Sequence, residues 1–358
     1  MLKQRWAILL FMTIASFIVG YCVMFYPRQF LEGDNISKID MATPDSDFYH
    51  NDCLHPCVRV ANNLFGGYRY WMVQSPYYGE NNTVENPILY HSTTLKSMGS
   101  ECRGGVISST PFAGYNSDPN IFIDGDTILY VFWRECSTPL CDSLGVCSAT
   151  VGMSTKDGVT FSSKRVYLTN SDSKSDTEQA PTLIKRNNGY WFYATWYQYE
   201  PIRKNKGIAI WYGTSLEQPN FVLVDTITLE TIYTVDKVAQ LRVGGHLYFA
   251  PKPHRFDLWH FDLVEHNDGL FMVASEEKGD VIMIGYSKNN VNFKFKLKPL
   301  VDNHFMENYC EYRQYYYKPT AIIENDSLYL FYTTNDKVDA KQNILMLGVM
   351  GVNELSKN

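Results

Sequence analysis

Residues 117–135 read SDPNIFIDGDTILYVFWRE: an acidic residue before a proline, a short apolar strand, an Asp-Gly turn and an aromatic strand. That order predicts a β-hairpin, because Asp-Gly supplies the left-handed backbone of a tight turn and the flanking residues suit a pleated surface. The phrase recurs. His55-Pro56-Cys57-Val58 leads through Gly66-Gly67 to Tyr68–Val73, and Ala180-Pro181-Thr182-Leu183 leads through Asn187-Asn188-Gly189 to Tyr190–Tyr193. Phe261–Val264 and Lys318-Pro319-Thr320-Ala321 open two further copies, the former without the proline. The prolines at 56, 119 and 181 lie 63 and 62 residues apart.

A second phrase, a β-rich run ending in serine, follows each hairpin. It is seen at Pro87–Ser92, Ala149–Ser154, Ile208–Ser215 and Ile282–Ser287, with a last version at Ile344–Val349. Two hairpins per sixty-odd residues make one four-stranded sheet, and five such sheets arranged radially make a β-propeller, which protects its strand edges by circular repetition. The expected fold is therefore all-β: a five-bladed β-propeller over residues 47–354, in one domain.

Ahead of it, residues 6–26 carry no charged side chain and are long enough to span a bilayer as a helix. Lys3 and Arg5 in the tail, residues 1–5, favour a cytoplasmic N-terminus. The expectation is a signal-anchor helix contacting the lipid bilayer, a stalk over 27–46, and a propeller outside the cytoplasm, secreted if the leader is cleaved. Outside the anchor remain Cys53, Cys57, Cys102, Cys136, Cys141, Cys147 and Cys310, an odd number in a compartment that permits disulfides. A local bridge among Cys136, Cys141 and Cys147 is expected. Asn35-Ile36-Ser37, Asn81-Asn82-Thr83 and Asn325-Asp326-Ser327 match the N-glycosylation pattern.

A net charge of −6 without a basic run argues against nucleic acid, and no phosphate loop or dinucleotide fingerprint argues for a nucleotide. Aromatic residues make up 15% of the chain. Trp71, Trp133, Trp191 and Trp259 suit packing between blades, and of the four Trp259, beside a blade opening, is best placed to meet the apolar face of a sugar ring.

The first strand of each propeller blade lines the central channel, so residues opening the hairpins converge on one mouth. They are Asp52 and His55, Asp118, Glu178, His260 and Asp262, and Lys318. Carboxylates around an axial pocket suit glycosidic cleavage, in which one protonates the leaving oxygen while another activates water or attacks the sugar.

On these phrases the chain, over roughly residues 50–350, resembles the five-bladed propeller glycoside hydrolases of family 43, related to families 32 and 62. The resemblance implies a hydrolase whose general acid falls on Glu178, in Glu178-Gln179-Ala180-Pro181, with Asp118 of the Asp-Pro phrase tuning that acid and positioning the sugar. In that family the base is an aspartate before the first blade's proline. Here His55 stands there, which leaves Asp52, His55 or Glu85, from Glu85-Asn86-Pro87, as base. Trp259, His260, Asp262, Lys318 and Arg134 are the expected contacts to an oligo- or polysaccharide. No cofactor is required, and the resemblance allows a structural calcium on the axis. The alternatives are a catalytically silent carbohydrate-binding propeller, for which the missing first-blade aspartate speaks, and a scaffold binding another envelope or lumenal protein.

Overall fold

In the computed structural model the described residues are 36–38, 53–77, 81–99, 101–169, 176–198, 204–227, 234–243, 246–255, 258–267, 269–276, 281–295, 299–302, 316–335, 342–350 and 352. They form strands almost throughout. After β1 (Ile36–Lys38), the first sheet comprises β2 (Cys53–Phe65), β3 (Tyr68–Pro76), β4 (Ile88–Ser92) and β5 (Glu101–Val106). The second comprises β6 (Gly114–Asp124), β7 (Ile128–Ser137), β8 (Ser148–Thr155) and β9 (Arg165–Thr169), with helix α1 (Thr138–Leu144) between β7 and β8. The third comprises β10 (Asp176–Arg186), β11 (Gly189–Gln198), β12 (Lys204–Gly213) and β13 (Val222–Ile227).

A two-stranded hairpin, β14 (Thr234–Val243) and β15 (His246–Arg255), precedes the next sheet. That sheet has β16 (Leu258–His266), β17 (Gly269–Glu276) and β18 (Val281–Ser287), its outer edge divided between β19 (Lys294–Phe295) and β20 (Val301–Asp302). The last is built from β21 (Tyr317–Glu324), β22 (Ser327–Asn335) and β23 (Gln342–Met350), with β1 as its outermost strand. The regular four-stranded blade thus occurs four times rather than the five expected. The sheet headed by β16 departs from it by carrying five strands, because β18 is paired at one end by β19 and at the other by β20.

The innermost strands neighbour one another in a closed cycle, β2 to β6 to β10 to β16 to β21 and back to β2. This is a propeller. The hairpin turns follow the sequence signals: Asn187 and Asn188, Gly125 and Asp126, and Asn325 and Asp326 all hold positive φ, as two-residue hairpin turns require. Between sheets the core is aromatic. Tyr130, Phe132 and Tyr167 of the second sheet pack on Phe192 and Trp211 of the third, and Trp71 and Trp133 are completely buried, as packing residues should be. Near the turns, polar latches tie three pairs of neighbouring sheets: Asp126 accepts from the backbone of Asn62 and Asn63, Asp124 from Lys185 and Tyr190, and Glu324 from Arg69 and Tyr70.

The expected stalk, 27–46, contributes β1: Ile36, Ser37 and Lys38 pair with Leu347, Met346 and Leu345. Three residues on a sheet edge carry no periodicity to read. The tail 1–5 and the apolar run 6–26 lie outside the described residues, among which no helix is long and apolar enough to cross a membrane. Cys141 and Cys147 form a disulfide across the end of α1, within the trio expected to bridge locally.

Candidate functional site

The same local device begins four of the innermost strands. The pairing register slips between Leu54 and Cys57, Ser117 and Asn120, Gln179 and Thr182, and Tyr317 and Thr320. At each slip a residue before a proline adopts the left-handed conformation: His55 (φ 56°), Asp118 (φ 54°), Ala180 (φ 50°) and Lys318 (φ 39°). Bulges of this kind re-aim a side chain, and non-glycine residues held there cost about 1–3 kcal/mol each, which the surrounding packing must offset. The fourth sheet has Phe261 where the others have proline, and its register slips between Leu258 and His260. Counting back six residues from the hairpin-closing Asp124, Arg186, His266 and Glu324 gives Asp118, Ala180, His260 and Lys318 as equivalent positions. His260 is therefore the fourth counterpart of His55 and Asp118.

Those side chains meet on the axis. Asp118 Oδ1 lies 3.0 Å from His260 Nε2 and 3.3 Å from His55 Nε2, and Asp118 Oδ2 lies 3.3 Å from Arg134 Nε. His55 Nδ1 sits 2.8 Å from Glu85 Oε1 and 3.1 Å from Ser75 Oγ. Lys318 extends across to donate from Nζ to the carbonyl of Pro119 at 2.9 Å. His55, Glu85, Asp118, His260 and Lys318 are all buried. Tyr317 and Trp259, partly exposed, lie against the histidines, with Tyr317 4.3 Å from His260 and 5.1 Å from His55 between ring centroids.

Charge in this cluster follows from burial and neighbours. Burial lowers the pKa of both imidazoles, that of His260 to about 4, against the pull of Asp118 on each and of Glu85 on His55. Burial opposes ionisation of Asp118, but His55, Arg134 and His260 outweigh it and hold the carboxyl well below its ordinary range. Burial likewise lowers Lys318. Near neutral pH the site holds two neutral imidazoles and an anionic carboxylate.

With its proton on Nδ1, His55 faces Ser75 Oγ and the acceptor Glu85 Oε1 there and leaves a lone pair on Nε2. In that tautomer the lone pair faces an anionic oxygen; His55 Nε2 is buried and makes no hydrogen bond. Two acceptors in contact away from water would be satisfied by a cation between them. His55, Asp118 and His260 each offer a ligand atom, all within 4.8 Å of one another. Two nitrogens and one oxygen suit a borderline first-row divalent ion, whereas calcium takes six to eight oxygens. If His55 held such an ion, Glu85 behind it would be the usual orienting carboxylate.

Of the remaining expected residues, Glu178 lies on β10 opposite Trp196, two positions before the hub residue Ala180, and its side chain lies outside the described part of the structure. Asp52 lies outside the described residues. Asp262 has both carboxylate oxygens engaged, by Arg59 at 2.7 Å and 2.7 Å, by Thr182 at 2.6 Å and by Thr320 at 2.6 Å. It braces four of the five innermost strands beneath the site. Arg59 went unnoticed in the sequence, although a charge inside the apolar run Cys57–Ala61 is the signal that it needs a buried partner. Tyr317 was likewise missed; its place directly before Lys318 mirrors that of Trp259 before His260.

Fold and hub together describe a β-propeller with a buried histidine–carboxylate centre on its axis. No family model matches the chain, and no curated protein does. Among solved structures it is similar to an N-acetylgalactosamine deacetylase from F. plautii in complex with blood group B trisaccharide, at 15% identity over 88% of this chain and 94% of that one, with a TM-score of 0.64. An α-L-arabinanase from Penicillium chrysogenum complexed with arabinobiose matches at 11% identity, over 89% and 82% of the two chains, with a TM-score of 0.52. The family 93 α-L-arabinofuranosidase of Fusarium graminearum with arabinobiose matches at 12%, over 85% and 78%, with a TM-score of 0.51. At such identities the likeness establishes the propeller fold, shared with carbohydrate-acting enzymes of several kinds rather than family 43 in particular.

Proposed function

We propose that this chain is a glycan-acting hydrolase centred on a divalent metal ion held by His55, Asp118 and His260, and that the bond it cleaves is an acyl bond on a sugar, as in removal of an N-acetyl group. The observation that carries this reading is the buried Nε2 of His55, which makes no hydrogen bond and faces Asp118 Oδ1 at 3.3 Å, with His260 Nε2 at 3.0 Å from the same oxygen. The likeness to the deacetylase, over most of both chains, supports it. We count the five-stranded sheet as a fifth blade, because its β16 occupies the fourth place in the ring and supplies His260 to the hub.

A divalent ion in such a site polarises a carbonyl and lowers the pKa of water. The chain's own groups do the rest. His55 would offer its Nε2 lone pair and His260 would offer Nε2 once the proton it donates to Asp118 Oδ1 has moved to Nδ1, while Asp118 remains anionic and Glu85 holds the His55 ring in place. Arg134 and Lys318 bring positive charge beside the position where the acyl oxygen becomes anionic. Water adds to the acyl carbon, the carbon–nitrogen bond breaks, and the water's protons pass to the released amine and the solvent. Trp259 and Tyr317 offer partly exposed aromatic faces to the sugar ring.

The second reading, cleavage of a glycosidic bond, draws on the arabinanase and arabinofuranosidase likenesses and on two buried carboxylates, Glu85 and Asp118, flanking His55. Incubation with N-acetylated and arabinose oligosaccharides separates the two: acetate release that requires added Zn²⁺ or Mn²⁺ and disappears in Asp118→Asn supports the first, whereas new reducing ends without acetate would replace it with the second. The anchored, extracytoplasmic placement remains part of the proposal, supported by the Cys141–Cys147 disulfide, which an oxidising compartment favours. Extraction by carbonate without detergent would remove the anchor from it.

A further inference from the structure

Glu85 is the one member of the cluster that no strand holds. It follows a short 3-10 turn, Asn82–Val84, in the loop before β4, yet it is buried against His55. The support comes from β6 and β7. Trp133 Nε1 can only donate, and it meets Asn116 Oδ1 at 2.9 Å. That contact fixes which way the Asn116 amide points, so its Nδ2 donates to Asn86 Oδ1 at 2.8 Å, with the carbonyl of Ser109 at 3.2 Å. The Asn86 amide is fixed in turn: its Nδ2 donates to Thr110 Oγ1 at 3.0 Å, and the Thr110 hydroxyl donates to the carbonyl of Thr83. One directional chain therefore starts at an indole and closes on residues both before and after Glu85. Asn116 and Asn86 are both buried, and an amide there has no water to fall back on.

We propose that Asn116 is a positioning residue which, through Asn86, holds the Glu85 carboxylate against His55 Nδ1 and so sets the tautomer that turns the Nε2 lone pair toward Asp118. Its effect on metal affinity rests on the metal-centred reading above; its effect on the tautomer does not. Asn116→Asp keeps the acceptor for Trp133 but loses the donor to Asn86, and Asn86→Ala breaks the next link with less disturbance to packing. In ¹⁵N-histidine-labelled full-length protein, with the His55 signals assigned by their loss in His55→Gln, the wild type shows a protonated Nδ1 and an unprotonated Nε2. Both variants shift the His55 nitrogens toward the other tautomer and weaken Zn²⁺ binding about 10–100-fold, the range for loss of outer-shell support. Lower melting temperatures with unchanged His55 shifts would overturn the proposal and leave Asn116 a packing residue. If the wild type binds no Zn²⁺, the metal reading falls while the nitrogen shifts still decide the role of Asn116.

Discussion

Replacing His260 with asparagine removes a specific pH dependence of stability. Burial lowers this imidazole from its ordinary 6.5 to about 4 in the folded protein. Between those values the unfolded chain binds more protons than the folded one, so stability rises with pH across that window. The contribution is fully present above pH 6.5 and is lost as pH falls toward 4. A shift of this size corresponds to about 3 kcal/mol between pH 7 and pH 4. His55, lowered for the same reason, adds in the same direction. Asp118 does not confuse the measurement, because a depressed carboxyl gives up its stabilisation only below its unfolded value, near pH 4. Urea denaturation at half-unit steps from pH 7.5 to 4, with chelator present so that protons do not compete with an ion, gives the two curves. The wild-type curve should fall more steeply than that of His260→Asn, by up to about 1.4 kcal/mol per pH unit, the limit for one proton. Parallel curves through that window would show that His260 is not held neutral by the fold.

Two further outcomes follow from the packing around the hub. Arg59→Met leaves Asp262 charged and without its guanidinium, which should cost about 3–5 kcal/mol, while Arg59→Met with Asp262→Leu should recover much of that loss; urea midpoints of the single and double variants check it, and equal midpoints would refute it. Reducing or replacing the Cys141–Cys147 bridge opens a loop of few residues, so the chain-entropy estimate is only about 2 kcal/mol; a melting curve that loses its cooperativity would show that the helix α1 region supports more of the ring than that.

How much of this was legible in the chain depended on distance along it. The phrase of an acidic or polar residue before a proline is local, and the same proline that made the repeat visible is the one that follows the bulge, so His55, Asp118 and Lys318 could be picked out before any coordinates. Asn187-Asn188 and Asn325-Asp326 announced their turns for the same reason. Arg59 and Asp262 are 203 residues apart, and nothing near either one names the other. Asp262 therefore read as a sugar contact when its oxygens are already occupied. Ile36–Lys38 read as stalk because its ladder is completed by β23, at the other end of the chain.

The composition of the five hub positions argues for the chemistry more directly than any one of them. In order around the ring they are His55, Asp118, Ala180, His260 and Lys318. A ring kept only for packing would put apolar side chains at all five, since each polar group buried there must find a partner or destabilise the fold. Instead only Ala180 is apolar, and three of the other four converge on a single carboxylate oxygen or carry it. The fourth, Lys318, is a buried amine that donates to the backbone carbonyl of Pro119. Four of the five positions also bear backbone strain at non-glycine residues, and the exception, His260, reaches the hub without a proline. A fold that keeps strain and buried charge together at one point on its axis holds that point in a fixed geometry, and fixed geometry is what an ion or a transition state needs.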